Sequence, residues 1–291
     1  MIEFISGLLG SIIRVIYNLV GNNYLVALLI FTFLTKLLLF PLMLKQLRST
    51  AAIQKIAPED KKLREKYKDN PQKLNEEILK LYSDNNVSPM AGCLIPLIQI
   101  PIILAMFGVV QQPLTYIAQM ENEDMMPYAQ QYLNTEQVSE DQLKSLEITL
   151  AKEYELLEMD ITENINLGDA PKDAFSKDEA KRVSKWTLII PVFSLVFAVI
   201  SNKVSLRKQK AQMTEDQAEM QKSMNLMMPI LSAYIAYAWP IALGIYWLFG
   251  SILGIVQQLI MDKLMEDKDS TSDKKEKKNK VLFLGKGENN D

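Results

Sequence analysis

Histidine is absent from the 291 residues, and cysteine occurs once, at Cys93. That excludes an intrachain disulfide, metal sites built on His or paired Cys, Ser-His-Asp triads and Cys-His nucleophile pairs. Most hydrolase chemistry goes with them. No G-x-x-x-x-G-K-S/T run is present, and Gly285-Lys286-Gly287 follows no strand pattern, so nothing in the sequence would cradle a triphosphate. Neither a cofactor nor a metal is expected, and the chain is not read as an enzyme. The net charge of -3, from 32 basic and 35 acidic residues, carries no message by itself. The hydrophobic fraction of 48% is equally bland, because it averages very apolar runs with very charged ones.

Those runs are the main feature. Residues 24–44 (YLVALLIFTFLTKLLLFPLML) are apolar except for Lys36, and match the ~20 residues that cross a bilayer core. Residues 93–110 and 186–202 offer a second and a third span. The tract 224–262 is split by Trp239-Pro240, where proline removes a helix donor and restricts the residue before it, which gives a fourth and a fifth. The third and fourth spans are short, ~26 Å against a hydrocarbon thickness of ~30 Å, so local bilayer thinning is expected.

Lysine and arginine orient these spans. Residues 45–90 carry 10 basic and 7 acidic side chains, and residues 203–222 carry 5 and 3, whereas residues 114–185 carry 7 and 16, a net of -9. The first two segments are therefore expected in the cytoplasm, with the C-terminus, and the third outside. The tail run Lys274–Lys280 (KKEKKNK) reads as disordered, either simply solvated or touching a ribosome or lipid. At the N-terminus, Glu3 precedes the apolar stretch and no A-x-A follows it, so a cleaved signal is not expected. Residues 1–20 read as an amphipathic helix flat on the outer surface or, alternatively, as a sixth span.

The resulting division is an interfacial helix (1–22), a first span (23–46), a cytoplasmic helical hairpin (47–90), a second span (91–113), an acidic outer loop (114–185), a third span (186–203), a cytoplasmic loop (204–222), fourth and fifth spans (223–239 and 240–262) and a disordered tail (263–291). In the hairpin, Pro58 is expected to interrupt the helix leaving the first span. Asn70-Pro71 should start the next helix as cap and first residue, with Leu74, Ile78 and Leu81 on one face. In the outer loop, Ser139-x-x-Gln142 is a capping-box pattern preceding Leu143, Leu146, Leu150, Tyr154 and Leu157, and predicts one amphipathic helix.

Lys36 is the informative residue. A lysine at a helix centre costs about 2.5–3.5 kcal/mol on insertion scales. Snorkelling to the cytoplasmic face would have to bridge ~13 Å of helix, beyond easy reach of the side chain. A water-filled cavity open to the cytoplasm is the better account. Thr32 (one turn from Lys36), Gln99, Ser201 and Asn202 are candidates to line it, although each alone is more often a helix–helix hydrogen bond. The outer half, rich in Val, Leu, Ile and Phe, should be closed. A small-molecule or ion transporter using Lys36 is the rival. It lacks paired halves with matching interrupted spans and an embedded Asp or Glu.

Three runs carry a family resemblance: Thr35–Gln46 (TKLLLFPLMLKQ), Ser88–Ile102 (SPMAGCLIPLIQIPI) and Trp239–Trp247 (WPIALGIYW) followed by Gln257-Gln258. The chain resembles the YidC insertases, bacterial relatives of the mitochondrial Oxa and chloroplast Albino proteins. The resemblance implies an all-α membrane protein of five transmembrane helices plus an N-terminal amphipathic helix and a cytoplasmic helical hairpin, in a bacterial plasma membrane. It implies a hydrophilic groove, open to cytoplasm and lipid, that receives nascent membrane proteins. The lipid bilayer is a partner, with a Sec translocon and the ribosome as candidates, and no nucleic acid chemistry is expected. Gln99, Asn202 and Trp247 match groove-lining positions. Lys36 stands where the family commonly has arginine, so a bidentate grip on a carboxylate is not implied. No lipobox cysteine is seen near the N-terminus, and residues 114 to about 163 look like an insertion. A folding chaperone that translocates nothing would have the same sequence signature.

Overall fold

The computed structural model describes residues 2–87, 94–179, 182–206 and 215–284; the side chains of 94–99, 206, 215–222, 224–225 and 266–284 lie outside that description. The architecture is predominantly helical. Helix α1 (Ile2–Leu19) leads through a turn to α2 (Tyr24–Lys66), followed by α3 (Pro71–Asp84) and α4 (Leu94–Gln111). A folded module follows, with a π-turn (Leu114–Ala118), α5 (Asn122–Leu133), α6 (Glu140–Glu153), strands β1 (Asp160–Thr162) and β2 (Ile165–Asn166), and two 3-10 turns (Pro171–Phe175 and Lys185–Leu188). Helices α7 (Ile189–Leu206), α8 (Glu215–Ala238) and α9 (Ile241–Leu284) complete the chain.

Among the described residues, four helical stretches are long and apolar enough to cross a membrane: Ile2–Leu19, Tyr24–Lys66, Lys185–Ser205 and Ile241–Met265. Two shorter apolar helices, Ile100–Gln111 and Leu226–Ala238, accompany them. The break between α8 and α9 falls at Trp239-Pro240, where the lost donor and the restricted pre-proline residue require it. Helix α7 packs against both α8 and α9, α2 against α9, and α1 against α4.

Helix α1 buries Ser6, Gly10, Ile13, Ile16 and Tyr17, a three-to-four spacing that defines one face. Small residues allow close contact: the Ser6 hydroxyl donates to the Ala105 carbonyl at 3.1 Å. A Cβ on Gly108 would come 2.9 Å from Ser6 Oγ, and one on Gly10 would come 2.8 Å from Tyr116 Cβ. Both glycines are therefore required by the approach of the helices.

Three expectations need correction. Pro58 does not interrupt the chain, because α2 runs through Pro41 and Pro58 to Lys66, making the first span and the first arm of the hairpin one helix of 43 residues. Each proline costs one ladder bond, yet packing against α3 buries Ile56 and Asp60 on either side of Pro58, together with Tyr82 of α3, and holds the helical path. The second correction concerns the described parts of 204–222 and 263–291, read as loop and disordered tail; residues 207–214 and 285–291 lie outside the described residues. The backbone is helical from Glu215 and, at the far end, through Leu284. Lysine and glutamate are good helix formers, and a helix already formed ahead of them removes the nucleation cost. The glycines at 285 and 287 lie outside the described residues. As expected, Asn70 caps α3 by accepting from the Lys73 N–H at 3.2 Å, with Pro71 in the first turn. Asn70→Ala should cost about 1 kcal/mol of local stability, read as faster amide exchange in the first turn of α3.

The third correction is the acidic segment. Helix α6 starts as its capping box requires: the Gln142 N–H donates to Ser139 Oγ at 3.3 Å and the Ser139 N–H donates to Gln142 Oε1 at 2.9 Å. It is, however, only one part of a packed module. Met125 and Ala129 of α5, Leu143 and Leu150 of α6, and Met159 and Leu167 near the strands share a core with Ile13, Leu28, Met106 and Ile241 of the helical body. Two polar anchors fix the module. Glu147, fully buried, accepts from the Thr115 N–H at 2.8 Å and the Thr115 hydroxyl at 2.7 Å. The carbonyls of Asp169 and Leu167 accept from the Ile241 and Ala242 N–H groups at 2.8 and 3.0 Å, satisfying orphan donors at the start of α9. The Asp169 carboxylate is held in turn by Lys152 Nζ at 2.5 Å and the Asn166 N–H at 2.9 Å.

Burial pushes the Glu147 carboxyl above its ordinary value, against the opposing pull of the Thr115 hydrogen bonds. A carboxyl raised in the folded state binds its proton more readily there than in the unfolded chain. Its contribution to stability is thus lost as pH rises from the unfolded toward the folded value. Glu147→Gln abolishes that dependence. The melting temperature of the wild type relative to the variant should fall as pH rises above the ordinary carboxylate range of about 4; a constant difference would mean that the Glu147 carboxyl is not raised by burial.

Candidate functional site

Lys36 lies twelve residues into α2, half-buried, beside a cavity of about 360 Å³. Four helices and the flank of α4 form its walls. Helix α2 gives Lys36 and Met43, α4 gives Ile103, and α7 gives Ala198, Ser201, Asn202 and Ser205. Helix α8 gives Met228, Pro229 and Ser232, and α9 gives Tyr246, Trp247, Gly250, Ser251, Gly254 and Gln258. Among the described residues, no carboxylate lies within ion-pair reach of Lys36. The polar part of the lining consists of hydroxyls and amides, which can hydrate a cation or a substrate backbone without neutralising the charge.

Of the residues singled out from the sequence, Lys36, Ser201, Asn202 and Trp247 converge on this cavity. Thr32 does not line it. At 1% exposure it is enclosed by protein, and its hydroxyl donates to the Leu28 carbonyl one turn back at 2.7 Å. A threonine without a better partner satisfies itself on its own helix in this way. Thr32 instead packs beside Lys36 along α9, its Cγ2 3.9 Å from where a Cβ would stand on Gly250. The side chain of Gln99 lies outside the described residues.

Sequence reasoning missed Ser205, Ser232, Ser251, Gly250, Gly254 and Gln258. The signal for most of them was periodicity: Ser201 and Ser205, Trp247 and Ser251, and Gly250, Gly254 and Gln258 recur at four-residue spacing and so share a helix face. Ser232 had no such companion. Its hydroxyl is buried without a protein partner among the described residues and lines the cavity, where a bound polar group or water can meet it.

Two features of α9 set the position of Lys36. Gly250 faces it, and a Cβ there would stand 3.7 Å from Lys36 Cε, so glycine leaves a channel for the lysine stem. The buried Gln257 donates from Nε2 to the Lys36 carbonyl at 2.6 Å, tying α2 to α9 at this level. Gln257→Leu should cost about 0.5–1.5 kcal/mol through the lost bond, measurable as a lower melting temperature in detergent.

The cavity ends toward the module. There, Tyr24, Ala27, Leu28 and Phe31 of α2 pack with Met106, Val109 and Val110 of α4 and Ile241 and Leu243 of α9, all buried. Trp239 closes the α8–α9 corner, edge-on to Phe107 at 5.6 Å and to Tyr234 at 6.1 Å between ring centres. The site is therefore polar around Lys36 and apolar beyond it.

Comparison with known proteins gives a consistent family. The sequence profile of the family described as 60Kd inner membrane protein matches residues 15–269. The chain is 49% identical over 90 residues to the membrane protein insertase YidC of Clostridium perfringens, covering 31% of this chain and 38% of that protein. It is 27% identical over 258 residues to the membrane protein insertase YidC 2 of Listeria innocua, covering 86% and 68% of the two chains. To the membrane protein insertase YidC of Chlamydia trachomatis it is 27% identical over 258 residues, covering 88% of this chain and 28% of that one. The matched region spans less than half of the Clostridium and Chlamydia proteins.

Proposed function

Because the chain belongs to the 60Kd inner membrane protein family, we propose that it is a membrane protein insertase that delivers nascent transmembrane helices to the bilayer through the cavity beside Lys36. Five spans cross the membrane, in α2, α4, α7, α8 and α9. The module lies outside; the α2–α3 hairpin and the C-terminus lie in the cytoplasm of a bacterial cell. Helix α1 rests in the outer leaflet, its contacts falling at Ala105, Gly108 and Tyr116, near the outer end of α4. The Sec translocon and the ribosome are partners to be sought on the cytoplasmic and lateral faces.

The observation that carries this reading is the polar cavity around a lysine that meets no carboxylate among the described residues, in a helix otherwise facing lipid and core. Partitioning of an apolar helix into lipid is downhill, by about 0.3–0.6 kcal/mol for each central Leu, Ile, Phe or Val. The barrier is the polar flank that must cross. A wet cavity reaching Lys36 shortens the hydrocarbon path for that flank, and the ammonium attracts acidic residues in it. The membrane potential, positive outside, then contributes about 2.3 kcal/mol per 100 mV for each negative charge moved outward. The apolar packing from Tyr24 to Phe31 keeps ions out. No bond is broken and no nucleotide is consumed.

The test is insertion of a single-span protein with an acidic N-terminal tail into vesicles containing only the purified chain, scored by protease protection. Protection above that in empty vesicles is expected. Its absence with folded protein would favour a chaperone that translocates nothing; uptake of a small solute instead would favour a transporter.

A further inference from the structure

The module hides most of its apolar side chains, and Phe175 is one of two clear exceptions, at 66% exposure. It ends the 3-10 turn Pro171–Phe175, whose Pro171 and Ala174 are buried, so a firmly seated turn presents the ring outward. Lys185 Nζ lies 5.7 Å from the centre of that ring, and the next residue, Trp186, is 69% exposed. From Trp186 the chain runs directly into α7, whose Ile189, Val192 and Phe193 are also exposed. These side chains, with Lys185 and Leu188, border a shallow hollow of about 410 Å³. Phe175 and Trp186 therefore stand at the head of the apolar strip along a candidate membrane span.

Charge is sorted in the same way. Residues 171–186 hold five basic and three acidic side chains, within a segment 114–185 whose net charge is -9. Lys172, Lys177, Arg182 and Lys185 are exposed around Phe175. Arg182 is committed locally, donating to the Ser176 carbonyl at 3.1 Å and lying 3.9 Å from Glu179. Aromatic rings with a ring of lysines match the interfacial layer of a bilayer, where an amphipathic ring sits among headgroups and ammonium groups meet phosphates.

We propose that residues 171–179 and 182–186 form a foot by which the outer module stands on the phospholipid leaflet, with Phe175 and Trp186 seated at headgroup depth and Lys172 and Lys185 on lipid phosphates. The foot rests on α7 spanning the bilayer, and is independent of Lys36 and of insertion. It fixes the outer end of a short helix of ~27 Å, and so the depth of Ser201 and Asn202 on the same helix.

The experiment uses the full chain carrying Cys93→Ser, with a polarity-sensitive fluorophore on Lys177→Cys or, as control, on Glu163→Cys at the exposed strand turn. Vesicles are phosphatidylethanolamine and phosphatidylglycerol, with nitroxides on the headgroup or at the chain end. Headgroup nitroxide should quench the label at 177 several-fold more than that at 163, with chain-end nitroxide ineffective at both. Adding Phe175→Asp with Trp186→Gln should bring 177 to the level of 163. Equal quenching at the two sites in the otherwise unaltered chain, with equal access to iodide, would overturn the foot. So would protection from iodide without lipid quenching, which would assign the face to a second copy of the chain.

Discussion

Lys36→Gln should reduce insertion of proteins with acidic tails by about tenfold or more while leaving neutral-tailed ones nearly unchanged. Two unit charges 4 Å apart attract by about 4 kcal/mol at an effective dielectric constant of 20, and losing only ~1.4 kcal/mol of this at the rate-limiting position is a factor of ten. The fold should survive the substitution, because the tie from Gln257 is to the backbone carbonyl of residue 36 and not to its ammonium. Lys36→Arg should retain activity, since the charge and the reach are similar even though the guanidinium is planar. Lys36→Glu should be worse than Gln for acidic tails. The measurement is protease protection in vesicles for a matched pair of substrates differing only in tail charge. Equal loss for both tails would remove the charge from the mechanism and leave the cavity as a merely wet path.

Gly250→Leu should depress insertion of every substrate, whatever its tail. The position has room for a methyl group, with Lys36 Cε 3.7 Å and Thr32 Cγ2 3.9 Å from an added Cβ, but the further atoms of leucine must enter the cavity or push α2 from α9. Overpacking of this kind costs about 1–3 kcal/mol when the helices are held, here by the Gln257 bond. Gly250→Ala is the control: it adds only an ordinary contact and gains up to ~1 kcal/mol of helix propensity, so its melting temperature should rise and its activity persist. Melting curves together with insertion of neutral-tailed and acidic-tailed substrates separate the two glycine variants from Lys36→Gln. Loss confined to acidic tails in Gly250→Leu would mean that the leucine acts only by displacing the ammonium.

Much of the helical body was legible because the bilayer imposes simple rules on sequence. An apolar run long enough to span, a proline at the α8–α9 corner, and an asparagine-proline start at α3 are local signals, and each element appears where its signal lies. The strength of a proline signal was misjudged at Pro58, where local chemistry says break and packing of α2 on α3 says continue. The module was the least legible part. Helix α5 buries only Met125 and Ala129 and contains Pro127, and the strands have three and two residues, too few to establish a period.

The sequence by itself determined the class of molecule, the absence of histidine chemistry and of paired-cysteine sites, and the cost of one lysine amid apolar residues, because these depend on residue type and spacing alone. Only the tertiary structure decided which polar groups share the space with that lysine. Ser232, Ser251 and Gln258 join Ser201 and Asn202 through the packing of α7 with α8 and α9, while Thr32, one turn from Lys36, is sealed against its own helix. It also decided that the acidic segment is a packed cap, since the donors it satisfies at Ile241 and Ala242 and the carboxylate it buries at Glu147 have partners far away in sequence. Local pattern fixes what each helix must hide; which neighbour hides it is a property of the assembled fold.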